Sequence, residues 1–325
     1  MLGITIFTDS GSDSAVFHYR CASFRDQLNY LGVPSIVWTP LEAGCRLPEV
    51  QGRVVILNRI AWSQQREPLF DFLQKNALAL GYDTDDLLIS EDICKVIELC
   101  SFIVVSTPNL AREYQKKYPS KRIFVRRNVV PALIESNVIK SRLPSVGGFR
   151  IGVLAGSDTH SENLDLIKGT LVNLRNLSDK FTLTTIGIRD SWISGLPENT
   201  ISQEFSWIPF PIYPLLIPLQ CDLILVPLLN TTFNQCKSAV KWLESSITGV
   251  VCLASPVGQF KDVIIDGVDG FLVEDGDWEK KVLEVINGHT IHRVGEAAKA
   301  KVLDKFTTRN VEDASKVLAW LQQKY

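Results

Sequence analysis

Short apolar runs that stop at small or polar residues, each followed by a stretch with helical spacing, recur from end to end of this chain. That alternation constrains the fold more than any other feature. Leu2–Phe7 leads into Thr8-Asp9-Ser10-Gly11-Ser12 and the amphipathic stretch Val16–Leu31. Pro34–Trp38 and Arg53–Leu57 follow, the latter ending at Asn58-Arg59. After the helical stretch Glu67–Asn76, the run Ala77–Tyr82 passes into Asp83-Thr84-Asp85-Asp86. Ile89–Cys100 and Pro108–Tyr118 read as helices, and Phe102–Val105 and Ile123–Arg126 as strands. Strands and helices in this order predict a parallel sheet with both faces covered, hence an α/β domain.

A polar stretch with Pro144, Gly147 and Gly148 interrupts the pattern, which restarts at Arg150–Leu154. The expected plan is a first domain over 1–140, a linker over 141–149, a second domain over 150–306, and a last helix over 307–325 that packs back on the first. In the second half, Phe181–Ile186, Asp222–Leu228 and Val250–Ala254 read as strands, and Ile201–Trp207 leads into a proline-rich loop. Trp278–Asn287, Val294–Phe306 and Val311–Gln323 read as helices.

Between the strands Asp222–Leu228 and Val250–Ala254 the spacing predicts a helix ending at Gly249, with Asn234 or a neighbouring Thr as N-cap. At ~100° per residue, Lys241 and Glu244 fall within about 40° of Lys237, while Ala239, Val240, Leu243 and Ile247 take the other side. Lys237 and Ser238 then belong to the first turn, at the carboxyl end of the sheet, where free N–H groups and the helix dipole favour an anion. A solvated Lys–Lys–Glu face accounts for the same residues without a ligand.

Composition narrows the function classes. Hydrophobic residues at 46% and charged residues at 22% are ordinary globular values, and a formal charge of −2 offers no basic field for nucleic acid. Seven cysteines, an odd number without a CxxC pair, read as free thiols in a reducing compartment, so a cytoplasmic location is expected. The start of the sequence has no basic n-region, and prolines at 209, 211, 214, 218 and 227 with Asp222 argue against a spanning helix in the apolar stretch Ile208–Leu229. Peripheral contact with a membrane stays open. No GxGxxG dinucleotide fingerprint is present.

Several polar residues sit where parallel strands end. Arg20, close to the loop containing Asp9 and Ser10, either reaches a ligand there or pairs with an acidic neighbour. Asp83, Asp85 and Asp86 are close enough to raise one another's pKa; they serve base chemistry, a metal or hydroxyl recognition, or they form the acidic first turn of the next helix. The loop with Gly156, Ser157 and His160 is a second anion-receptive corner, and His160 either meets a phosphate or sugar hydroxyl or caps a helix.

The order of these motifs resembles the GT-B glycosyltransferases, in particular the retaining family-4 type. DLILVPL, FNQCKSAVKWLESSITGVVCLAS, GVDGFLVEDGDWEKKV and RVGEAAKAKVLDKF carry the likeness in the second half, with GSDTH-x4-D from Gly156 to Asp165; VVILNRIAW, YDTDDLL, FIVVSTPNLAREY and VRRNVV carry it in the first. The resemblance implies two Rossmann-like domains facing across a cleft and transfer of a hexose from a UDP-, GDP- or dTDP-sugar to a glycan, lipid-linked, protein or small-molecule hydroxyl, with retention and without cofactor or metal. Its donor side would comprise Gly156, Ser157, His160, Asn234, Lys237, Ser238, Lys241 and Glu244, with Glu244 on the ribose and Lys237-Ser238 on the diphosphate. Arg20, Asp9, Ser10 and Asp86 would lie on the acceptor side, with Asp83, Asp85 and Lys237 closest to the chemistry. The chain departs from the pattern in three places: Cys236 stands where the first Glu of Glu-x7-Glu belongs, GSDTHSEN lacks the usual Arg and Lys, and the acceptor-domain histidine is not evident. A non-catalytic binding or scaffold subunit, or a sugar-nucleotide epimerase, would share the same motifs.

Overall fold

The computed structural model describes residues 2–40, 49–137, 148–154, 161–177, 181–210 and 212–325. Two compact units emerge. The first comprises the chain up to Ala132 together with Cys236–Ser238 and Thr307–Tyr325, and the second Leu133–Gln235 with Ala239–Phe306.

In the first unit six parallel strands, β1 (Gly3–Thr8), β2 (Ser35–Trp38), β3 (Arg53–Asn58), β4 (Ala79–Thr84), β5 (Phe102–Val105) and β6 (Arg122–Val125), are ordered β2-β1-β3-β4-β5-β6. β1, β4 and β5 are buried along their whole length, the near-continuous burial that a sheet covered on both faces requires. One face carries Leu57, Phe70, Val96, Ile97 and Leu110; the other carries Ile4, Phe24, Leu28 and Val104. Helix Glu312–Lys324 joins the second cluster through Ala314, Val317, Leu318 and Leu321, each large aliphatic contributing about 1.5–3 kcal/mol on full burial.

The regular helix expected over 16–31 is instead a π-helix, Phe17–Ala22, continued by the α-helix Ser23–Tyr30. Buried Arg126, lying over the Phe24 ring at 4.4 Å, donates to the Tyr19 and Arg20 carbonyls at 3.2 and 2.8 Å, so the widened turn has partners for its oxygens.

The second unit repeats the plan with β7 (Phe149–Leu154), β8 (Phe181–Ile186), β9 (Gln203–Phe205), β10 (Leu223–Val226), β11 (Val251–Ala254) and β12 (Phe271–Leu272), again all parallel, in the order β12-β11-β10-β7-β8-β9. One core cluster includes Ile151, Leu171, Leu225, Leu253 and Trp278, and Ile224, Trp242, Leu243, Ile247 and Cys252 are buried outside it. Gly295 of helix Ile291–Lys305 lies so close to Gly249 that a Cβ there would stand 2.2 Å from the Gly249 carbonyl oxygen.

The proline-rich stretch is not all loop: Tyr213–Gln220 is a helix with Pro214 in its first turn, where the missing N–H costs nothing, and Pro218 in its last. The long helix drawn through Lys237 is broken into Thr232–Gln235 and Val240–Ile247. Thr107 Oγ1 donates to the Cys236 carbonyl at 2.9 Å, and Gln259 Oε1 accepts the Ala239 N–H at 2.9 Å, taking backbone groups that a continuous helix would have used. Lys237 and Ser238 therefore lie in the connection before Val240–Ile247 and not in a helical first turn.

Candidate functional site

In each sheet the strand order reverses once, and in doubly wound folds ligands bind outside the carboxyl ends of the two strands flanking that reversal. β7 and β10 flank it in the second unit, β1 and β3 in the first.

After β7, the candidates Gly156, Ser157 and His160 lie outside the described residues. After β10 the loop is held by side chains. Asn163 Oδ1 accepts from the Leu229 N–H at 2.9 Å and from Asn234 Nδ2 at 2.8 Å, and Asn234 Nδ2 also donates to the Leu229 carbonyl at 2.9 Å. Asn234, expected as a helix cap with a hand in donor binding, is buried and shapes this loop. Gln235 Oε1 accepts the Gly258 N–H at 3.2 Å, tying the loop after β10 to the one after β11. Lys237 and Ser238 are partly exposed, and Ser238 Oγ accepts from Asn128 Nδ2 at 2.9 Å.

Helix Val240–Ile247 starts at the carboxyl end of the sheet, because it connects parallel strands; helix Tyr213–Gln220, which leads into β10, starts at the same end. Glu244 comes from the first and Tyr213 from the second. Glu244, only 1% exposed, is no member of a solvated face: its Oε2 accepts from Lys241 Nζ at 3.0 Å and from the Tyr213 hydroxyl at 3.1 Å. Lys241 Nζ also donates to the Tyr213 oxygen at 2.6 Å and lies 4.4 Å from that ring's centre. Spacing does bring Lys241 and Glu244 together, one turn apart, but Tyr213 is a partner that sequence reasoning missed. The signal available was Pro214 directly after it, a residue favoured at helix starts.

At the reversal in the first unit, the register sets Thr8 beside Asn58 and Asn58 beside Asp83. Thr8 donates to Asn58 Oδ1 at 3.0 Å, and Asn58 Nδ2 donates to Asp83 Oδ1 at 2.8 Å. Arg20 closes the network with a fork on Asp83, Nε to Oδ1 at 2.9 Å and Nη2 to Oδ2 at 2.6 Å. Both side chains are buried. Burial alone would lower the Arg20 pKa, but the Asp83 charge and hydrogen bond outweigh it and raise it. The acid-pairing alternative for Arg20 thus holds, and both Asp83 oxygens are engaged. Asp9 pairs with Arg66 at 2.6 Å, both half-exposed, and the Ser10 N–H donates to Thr8 Oγ1.

Asp85 and Asp86 behave differently. They face Arg59 at 3.6 and 3.3 Å, yet Asp85 Oδ1 is buried without a hydrogen bond. Burial raises the Asp85 pKa, the Asp86 charge raises it further, and Arg59 opposes both. Arg59 itself adopts φ of 53°, a left-handed conformation costing a side-chain-bearing residue roughly 1–2 kcal/mol. These carboxylates are not the first turn of the next helix, which begins at Glu91 behind the cap Ser90. His18 in the π-helix is a further polar residue absent from the sequence reading; its Nε2 donates to the Ser12 carbonyl at 2.7 Å, and burial lowers its pKa. Among the described residues no three His, Cys, Asp or Glu side chains gather as a metal site, and no helix is long and apolar enough to cross a membrane.

Neither a family model nor a curated protein sequence matches the chain. Solved structures do. Sucrose-phosphate synthase from Thermosynechococcus elongatus matches with a TM-score of 0.65 at 11% identity, over 99% of this chain and 100% of that one. HepE from Anabaena, in complex with UDP and glucose, matches at 0.65 and 12%, over 97% and 99%. The fold is that of the GT-B glycosyltransferases. TarM matches at 0.59 and 14% over 85% of this chain, which spans only 55% of TarM.

Proposed function

We propose that the chain is a glycosyltransferase of the retaining, family-4-like kind, moving a hexose from a nucleoside-diphosphate sugar to a hydroxyl-bearing acceptor. The observation that carries the reading is the Glu244 carboxylate, held on one oxygen by Lys241 and Tyr213 in helices that start at the carboxyl end of the second sheet. UDP is the first donor nucleotide to test, because HepE was solved with UDP and UDP-glucose and Staphylococcus aureus TarM with UDP and alpha-GlcNAc-glycerol.

In this reading Glu244 takes the ribose hydroxyls, and Lys237 with Lys241 offsets the charge of the departing diphosphate. Cys236 adds no second carboxylate: burial pushes its thiol up to about 11, so it is neutral at physiological pH. The leaving diphosphate accepts the acceptor's proton, and Asp85, whose Oδ1 is buried without a hydrogen-bond donor, is assigned to acceptor hydroxyl recognition. Asp83, committed to Arg20 and Asn58, is assigned to architecture.

Calorimetric titration with UDP tests the donor side. Glu244→Ala and Lys237→Ala should each weaken binding about tenfold or more, as expected for losing a hydrogen bond to a charged group. Unchanged affinity in both variants refutes the assignment. Cys236 also favours a second reading, a non-catalytic binding subunit; a protein that binds UDP-sugars yet neither hydrolyses nor transfers them, by mass spectrometry over an acceptor panel, would establish it.

A further inference from the structure

The three groups around Glu244 form a chain with a fixed direction. An ammonium only donates and an ionised carboxylate only accepts, so the Tyr213 hydroxyl accepts from Lys241 at 2.6 Å and spends its single hydrogen on Glu244 Oε2 at 3.1 Å. Lys241 adds its own bond to the same oxygen at 3.0 Å. Oε2 thus has two donors, while among the described residues Oε1 accepts none. One pinned oxygen and one with acceptor capacity to spare suit a ligand that brings donors of its own, and a sugar diol does so.

We propose that Tyr213 is a positioning residue that fixes the Glu244 carboxylate so that Oε1 reads the ribose 2′-hydroxyl, making the site selective for ribonucleotides over 2′-deoxyribonucleotides. This rests on the reading of Glu244 as the ribose ligand. Lys241 and Glu244 share one helix and one face, so by themselves they leave the carboxylate free to turn with the Lys side chain. Tyr213 comes from a separate helix, its ring is buried, and Lys241 lies against that ring at 4.4 Å. Its hydroxyl is therefore the rigid reference against which the carboxylate plane is set.

The test is calorimetric titration of UDP and 2′-deoxy-UDP into the wild type, Tyr213→Phe and Glu244→Gln. The Phe variant keeps the ring and removes only the hydroxyl. The expected result is wild-type preference for UDP of about tenfold, the worth of one hydrogen bond to a charged group, falling toward unity in Tyr213→Phe through loss of UDP affinity while 2′-deoxy-UDP affinity holds. A collapse of the ratio in Glu244→Gln with full preference kept in Tyr213→Phe overturns the role of Tyr213 and leaves the ribose reading standing. Equal weakening of both nucleotides in Tyr213→Phe means a merely structural hydroxyl and overturns it too. Wild-type protein that binds neither nucleotide, or does not distinguish them, or a Glu244→Gln variant that keeps the preference, overturns the ribose reading and this inference with it.

Discussion

Replacing Asp83 by Asn keeps the shape of the side chain and removes its charge from a site where Asp83 is 1% exposed and Arg20 is fully buried. Three donors converge on the carboxylate, at 2.9, 2.6 and 2.8 Å, and the new amide would turn N–H groups toward a guanidinium that can only donate. A second buried guanidinium sharpens the effect: burial and the Arg20 charge already push Arg126 down to about 9, and Asp83 is the strongest of the charges opposing that. Arg126 stays protonated at neutral pH, so Asp83→Asn would leave two buried positive charges where one of them was compensated. Breaking a buried pair in this way costs about 3–5 kcal/mol, against about 0–1 kcal/mol for a surface pair. For a unit of this size that corresponds to a fall in Tm of roughly 6–20 °C. Scanning calorimetry, following the transition of the first unit, reads it. The double variant Arg20→Met with Asp83→Leu should recover most of the loss, because it removes the charges together. A Tm within about 2 °C of the wild type, accompanied by loss of turnover, would refute this reasoning and place Asp83 in the chemistry.

Asp85→Asn should do the opposite and raise Tm at pH 7.5. Burial and Asp86 lift the Asp85 pKa above its ordinary 3.8, so the folded chain holds that proton more tightly than the unfolded chain; the associated stability is present below about 3.8 and lost as pH rises through the folded value. The gain should therefore shrink in melts at pH 4, and a pH-independent difference would sink the account. In the second unit, Gly295→Ala should destabilise by about 1–3 kcal/mol despite better helix propensity, because its Cβ meets a backbone carbonyl and not a movable side chain. Chemical denaturation showing no change would mean that the two segments are less tightly apposed.

The alternation of runs and helices predicted two parallel α/β sheets, and that much is local information: strand burial and helix periodicity are properties of consecutive residues. Even the pairing of Lys241 with Glu244 follows from spacing along one helix. What sequence could not decide is which group meets which across the chain. Its position in sequence leaves Arg20 between a ligand and an acid, and only the register that sets β3 beside β4 and the π-helix after β1 delivers it to Asp83, 63 positions away. Tyr213 lies in a proline-rich stretch, where proline counts against a helix except in the first turn that Pro214 occupies. The periodicity of its neighbours places Lys237 in a helix, whereas Thr107 and Gln259, distant in sequence, take the backbone groups that such a helix needs. Patterning alone specified the first sheet and the central strands of the second, while the short edge strands β9 and β12 carry too few residues to show a pattern. The tertiary structure decided which carboxylates are bound up in the protein and which keep an oxygen open, because hydrogen-bond satisfaction depends on partners that no local pattern specifies.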